Sequence, residues 1–170
     1  MDMLLLENQL CFPLYVASKE IIRKYKEFLD PLDLTYTQYI VMMVLWEEEV
    51  INVKHLGEKV YLDSGTLTPL LKKLEGHEYV KRIRDKNDER NVFIHLTNKG
   101  KELKNKAKDV PINMCNCIDL TKEEIQILQK LLYKLFKKLI APFSGYKNLL
   151  LYELFVLYLH SKARKQQRNA

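Results

Sequence analysis

VYLDSGTLTPLLKKLE, residues 60–75, is the stretch that decides the fold. Asp63 or Ser64 caps a helix here, because a short side-chain oxygen can accept from the free backbone N–H groups of a first turn. That helix runs to about His77, where Gly76 and His77 end it as a C-cap. Just upstream, Val53–Val60 reads as a short helix with Leu56 and Val60 on one face, and Tyr61-Leu62 makes a tight connection between the two. Two short helices joined by a turn of three or four residues form a helix-turn-helix.

Downstream, Tyr79–Arg84 and Asn91–Leu96 alternate in the manner of strands, and the polar run Asp85–Arg90 separates them. The pair predicts a β-hairpin. Thr97 caps a polar helix to about Lys108, and Pro111 breaks or kinks it. Thr121-Lys122-Glu123-Glu124 is a capping box opening a last amphipathic helix, with Ile125, Leu128, Leu132, Leu135, Phe136 and Leu139 on its inner face and Pro142 and Gly145 closing it. Upstream, Leu10, Leu14, Ala17, Ile21, Tyr25 and Phe28 form one helical stripe ended by Asp30-Pro31. Thr35 caps the nearly all-apolar helix Tyr36–Glu48, whose composition predicts a buried element. The fold class is mainly α with a small β-hairpin wing.

Of 170 residues, 47% are hydrophobic, enough for a core. The net charge is +6, but residues 141–170 hold five basic residues against Glu153, while the other 140 carry 23 basic against 21 acidic. The overall basicity therefore belongs mainly to the tail. A better local signal is Lys99–Lys108, with five lysines against Glu102. The longest apolar run, Leu149–Leu159, is too short to span a bilayer. No secretion signal is visible, so no integral membrane association and a cytoplasmic location are expected. Three cysteines, an odd number, argue against a secreted disulfide framework.

The run Val60–Glu75 together with DERNVFIHLTNKG (Asp88–Gly100) resembles the MarR family of winged-helix regulators. NQLCFPLYVASKEIIRKY (Asn8–Tyr25) and LTYTQYIVMMVLWE (Leu34–Glu47) narrow the resemblance to its thiol-based branch, the OhrR-, MgrA- and SarZ-like redox regulators. The resemblance covers roughly residues 5–140. It implies a homodimer on a pseudo-palindromic operator of double-stranded DNA, with residues 34–97 as the DNA-binding region and residues 5–30 and 98–140 as dimerisation helices. Members of the family are most often repressors. They usually end near position 140, so an apolar helix over 146–160 and a basic stretch over 162–168 form an addition of unassigned role.

The reading helix presents Ser64, Thr66 and Thr68, whose hydroxyls reach bases or phosphates. Gly65 permits close approach, Pro69 leaves the Gly65 carbonyl without its helical bond, and Lys72 and Lys73 suit phosphates. Ser64 serves equally well as a plain cap. By resemblance, Arg90 at the wing tip enters the minor groove and Asp88 braces it, while Arg82, Arg84 and Lys86 support phosphate binding.

A cysteine on an apolar face is ordinarily a small buried hydrophobe. Cys11 has Tyr15 one turn along the same face, whereas Tyr25 lies 14 residues on, about 21 Å along a straight helix. Tyr25 of a second, antiparallel copy could reach it. The resemblance implies the same: a redox-sensing thiol hydrogen-bonded by two tyrosines of the other subunit, here Tyr25 and Tyr36, with an oxidant or a small thiol as effector. It also implies a resolving cysteine in the region of Cys115 and Cys117. Pro13, two residues after Cys11, leaves two possibilities: a helix starting near Phe12, or a kink beside the thiol. A regulator responding to a small aromatic ligand in the same dimer pocket is the alternative. No phosphate loop, H-E-x-x-H or nucleophile elbow is present, so no enzyme is expected. No cofactor is expected either, and the C-x-C pair without a paired histidine is no zinc site.

Overall fold

The computed structural model describes residues 2–88 and 90–140. The expectations for residues 141–170, including the closure at Pro142 and Gly145, lie outside them. The chain divides into two compact units, residues 1–124 and 125–170.

In the first unit, α1 (Cys11–Leu29) is followed by a 3-10 turn at Asp30–Leu32 and by α2 (Tyr36–Glu48). Next come β1 (Val50–Asn52), α3 (Val53–Val60), α4 (Ser64–Gly76), β2 (Val80–Arg84), β3 (Val92–Leu96), α5 (Asn98–Ala107) and α6 (Val110–Asn116). Helix α7 (Lys122–Ile140) begins in the first unit and continues into the second.

The core gathers where the sequence concentrates leucine at helical spacing. Leu67, Leu70, Leu71 and Leu74 form the buried face of α4 and meet Val41, Met42 and Leu45 of α2, Leu56 of α3, and Val80 and Ile94 of the sheet. Thr35 caps α2 through a complete capping box with Gln38: the Thr35 N–H donates to Gln38 Oε1 (2.7 Å) and the Gln38 N–H to Thr35 Oγ1 (3.3 Å). Asp63, of the two residues considered, is the cap of α4. Helix α3 ends at Tyr61, which adopts φ 56 and ψ 40, so the turn of the helix-turn-helix is held left-handed by a non-glycine residue.

The hairpin is part of a three-stranded antiparallel sheet of order β1-β3-β2. Its register pairs Val80 with Leu96 and Arg84 with Val92, while β1 pairs Ile51 with Ile94. Strand β1 is an element the hydrophobic pattern does not announce.

Pro13 is the third residue of α1, within the first turn. The N–H groups there have no helical acceptor in any case, so proline costs no hydrogen bond and the helix is continuous after it. Pro111 likewise opens a new helix, α6, at its second position rather than bending α5. Lysines of α5 tie that helix to the lobe: Lys99 pairs with Glu78 (3.0 Å), Lys101 with Glu49 (2.6 Å), and Lys104 donates to the Trp46 carbonyl (3.0 Å). Trp46 donates its indole N–H to the Gly100 carbonyl at 2.8 Å. At Gly100 a Cβ would fall 2.2 Å from the Tyr79 carbonyl oxygen, so only glycine allows this approach of α5 to the sheet.

Helix α7 opens on the expected capping box, with the Thr121 N–H donating to Glu124 Oε2 at 2.8 Å. It has no buried residue among those described. No described helix is long and apolar enough to cross a membrane.

Candidate DNA-reading surface and thiol site

Helix α4 is two-faced. Its leucines fill the core, and Ser64, Gly65, Thr66, Thr68, Lys72 and Lys73 are all exposed on the remaining surface. At its nose, Asp63 Oδ1 accepts from the Thr66 N–H (2.9 Å) and Asp63 Oδ2 from the Thr66 hydroxyl (3.1 Å). The first of these contacts is the chief reason why the Asp63 carboxyl is held below its ordinary value. Ser64 is thereby relieved of the capping task. The result is a row of hydroxyls followed by two lysines on the exposed face of α4, chemistry suited to groove edges and phosphates.

The wing is braced at its tip. Asp88 accepts from the Arg90 N–H (3.1 Å), from Arg90 Nε (3.0 Å) and from Asn91 Nδ2 (3.3 Å). Hydrogen bonds from Arg90 hold the Asp88 carboxyl below its usual range. The Arg90 side chain nevertheless remains 92% exposed, presented outward from its anchor. Arg84 and Lys86 are exposed on the same hairpin. Arg82 is occupied: its guanidinium pairs with Glu75 of α4 at 2.7 Å.

The thiol residues fall into two groups. Cys11 and Tyr15 are exposed, near the free end of α1. At the other end of α1, Tyr25 lies 4.8 Å from Tyr36 and 6.1 Å from Tyr39, ring centroid to ring centroid. Burial pushes all three phenols up, Tyr39 to about 12, so they are protonated and able to donate at neutral pH. Helix α6 packs against α1. It brings Cys115 close enough to Tyr25 for the ionised forms to oppose one another, and Cys117 close enough to Lys24 to favour its charge. Burial pushes the Cys115 thiol up. Within one chain, therefore, Tyr25 feels Cys115 of α6, while Cys11 stands at the opposite end of α1. Among the described residues no cluster of histidine, cysteine and carboxylate side chains has the makings of a metal site.

A family model described as transcriptional regulator SarA/Rot matches residues 23–107, half of the chain. The chain belongs to the SarA/Rot family of transcriptional regulators. As a SarA/Rot regulator it carries the MarR-like winged helix, and it is a non-enzymatic regulator of the SarZ and OhrR type with redox-sensing relatives. It is 53% identical over 123 residues to the regulator SarZ of Staphylococcus epidermidis, a match covering 72% of this chain and 83% of that protein. It is 46% identical over 138 residues to the organic hydroperoxide resistance transcriptional regulator of Bacillus subtilis, covering 81% and 94%. Among solved structures, reduced AbfR bound to DNA matches with a TM-score of 0.72 at 32% identity, covering 82% of this chain and 95% of that one. AbfR is a protein of Staphylococcus epidermidis.

Sequence reasoning missed two members of these sites. Tyr39 completes the aromatic group, and its signal was available: it stands one turn after Tyr36 on α2 and so shares its side of the helix. Glu75, the partner of Arg82, gave no comparable signal, because the pairing crosses from a helix to a strand.

Proposed function

We propose that this regulator binds operator DNA as a cytoplasmic homodimer, acts as a repressor, and releases DNA when organic hydroperoxide oxidises Cys11. The observation that carries the reading is the separation within α1. Cys11 and Tyr25 belong to opposite ends of α1, and Tyr36 of α2 packs on Tyr25, so the protonated tyrosines and the thiol come together when a second copy lies antiparallel along α1. The exposed Phe12, Tyr15, Val16, Ile21 and Ile22 supply the apolar surface for that pairing.

Each winged lobe then presents α4 to a major groove, through Ser64, Thr66, Thr68, Lys72 and Lys73, and Arg90 to the adjoining minor groove. Arg84 and Lys86 add phosphate contacts. In the assembled thiol site two phenols donate to Cys11, which favours the thiolate. The thiolate attacks the outer oxygen of a hydroperoxide. The O–O bond breaks, the alkoxide leaves and takes up a proton, and Cys11 becomes a sulfenic acid. Cys115 of the opposing subunit, already beside Tyr25, is the resolving thiol. Its sulfur attacks the sulfenic sulfur, an S–S bond forms and water leaves.

The test is operator binding before and after cumene hydroperoxide. Wild type loses DNA and forms a covalent dimer on a non-reducing gel. Cys11→Ser keeps DNA and stays monomeric on the gel. Cys115→Ser is oxidised but forms no disulfide, while Cys117→Ser behaves as wild type. Release of Cys11→Ser as readily as wild type makes Cys11 a packing residue and returns the pocket to a ligand-binding role.

A further inference from the structure

The wing and the reading helix are joined by more than the chain between them. Among the described residues strand β2 is an edge of the sheet, and its outward N–H groups have no strand partner there. Glu75, in the last turn of α4, takes one of them. Its Oε1 accepts from the Arg82 N–H at 3.0 Å, and its Oε2 accepts from Arg82 Nε at 2.7 Å. One carboxylate thus grips the main chain and the guanidinium of the same strand residue. Burial opposes the charge on Glu75, but the two hydrogen bonds and the charge of Arg82 outweigh it and hold the carboxyl below its ordinary value.

We infer that Glu75 and Arg82 are positioning residues for DNA binding, setting the angle between α4 in the major groove and the wing in the minor groove. This rests on the DNA-binding reading above. The connection from His77 to Tyr79, the buried Val80 and Ile94 and the pairing of β3 with β1 hold the base of the hairpin, and the grip at Arg82 attaches it to α4 further toward the tip. With the tip about 15 Å beyond Arg82, a tilt of about 10° displaces it by roughly 3 Å. That is half the width of a minor groove, about 6 Å. The grip also removes Arg82 from the set of phosphate contacts. An arginine that left Glu75 for a phosphate would leave a carboxylate unpaired beside DNA, so the pair acts as a neutral hinge pin.

The experiment uses full-length protein and a duplex that wild type selects from random-sequence DNA. Hydroxyl-radical footprints read the minor groove, and anisotropy titrations read affinity and its salt dependence. Glu75→Gln keeps protection at the centre of each half-site, loses protection at the flanks and binds about tenfold more weakly. Arg90→Ala loses the same flank protection. The double variant is no weaker than Arg90→Ala, since a misplaced wing has nothing left to lose. Arg82→Gln repeats both the footprint and the salt slope of Glu75→Gln, whereas Arg84→Ala, which removes one phosphate contact from each subunit, lowers the wild-type slope by about 1.8 and keeps the flank protection of Arg90. Circular dichroism melts confirm that the variants fold.

Tighter binding by Glu75→Gln, or a salt slope lower in Arg82→Gln than in Glu75→Gln, overturns the inference and makes Arg82 a phosphate contact. Additive losses with intact flank protection overturn it too, leaving the pair a matter of stability alone. A wild type that selects no duplex overturns the DNA-binding reading itself.

Discussion

The winged lobe and the free half of α1 use apolar residues in opposite ways. In the lobe, the leucines of α4 and the apolar face of α2 close on one another within a single chain, and Val41, Met42, Leu45, Leu56 and Leu74 are each 0% exposed. Along α1 only Leu29 is buried, and Phe12, Tyr15, Val16, Ile21 and Ile22 face outward. The lobe is complete as one copy; the front of α1 is not. The contrast predicts that stability and assembly are separable, and Cys11, the thiol proposed above to react, is on the exposed side.

The largest effect to look for is on the lobe. Leu71→Ala removes a side chain that is 1% exposed, and urea unfolding should show a loss of about 2–5 kcal/mol. A loss below about 1 kcal/mol would mean that the lobe core is loosely packed and the contrast is weaker than drawn. Next comes the other side. Phe12→Glu with Ile21→Glu should weaken dimerisation at least hundredfold, about 2.8 kcal/mol, in sedimentation equilibrium. The urea midpoint of the dissociated lobe should stay within error, and a lobe that unfolds along with the dimer would erase the distinction.

A smaller effect is expected at the junction. Gly100→Ala forces a Cβ onto the Tyr79 carbonyl and should cost about 1–3 kcal/mol, with no change in dimer affinity.

The smallest effect is a pH dependence. Burial raises the phenols of Tyr25, Tyr36 and Tyr39 above the ordinary value of 10.0. A phenol raised in the fold contributes stability that is fully present below about pH 10 and is lost as pH climbs through the folded value. Absorbance at 295 nm should show these three ionising after the other tyrosines, with stability falling from pH 10 upward. Early titration of Tyr25 in the wild-type protein would mean that the pocket is wet.

The lobe was legible because its signals are local. Capping at Thr35, the turn at Tyr61-Leu62 and the hairpin strands each lie within a few residues of what they determine. Strand β1 was not, since three residues carry no periodicity and their partner, β3, is more than forty residues away. The thiol site was legible in part. The distance from Cys11 to Tyr25 follows from helix rise, but the approach of Cys115 to Tyr25 depends on how α6 folds back over α1, and no spacing encodes that. The pairing of Arg82 with Glu75 was hidden for another reason. An arginine in a basic hairpin reads as a phosphate contact until its neighbour across the helix–strand turn is known.

The protein has one tryptophan, and its placement gives the molecule a built-in optical probe. Trp46 belongs to α2, stacks edge-on with Tyr39 at 6.1 Å, and hydrogen-bonds the α5 backbone at Gly100. It therefore touches the lobe, the tyrosine group and the helix leading out of the wing at once. Indole emission responds to the loss of a hydrogen bond and to new water. A stopped-flow trace of indole fluorescence after peroxide would test whether a change at the tyrosines reaches the lobe, with no label attached and no second indole to subtract.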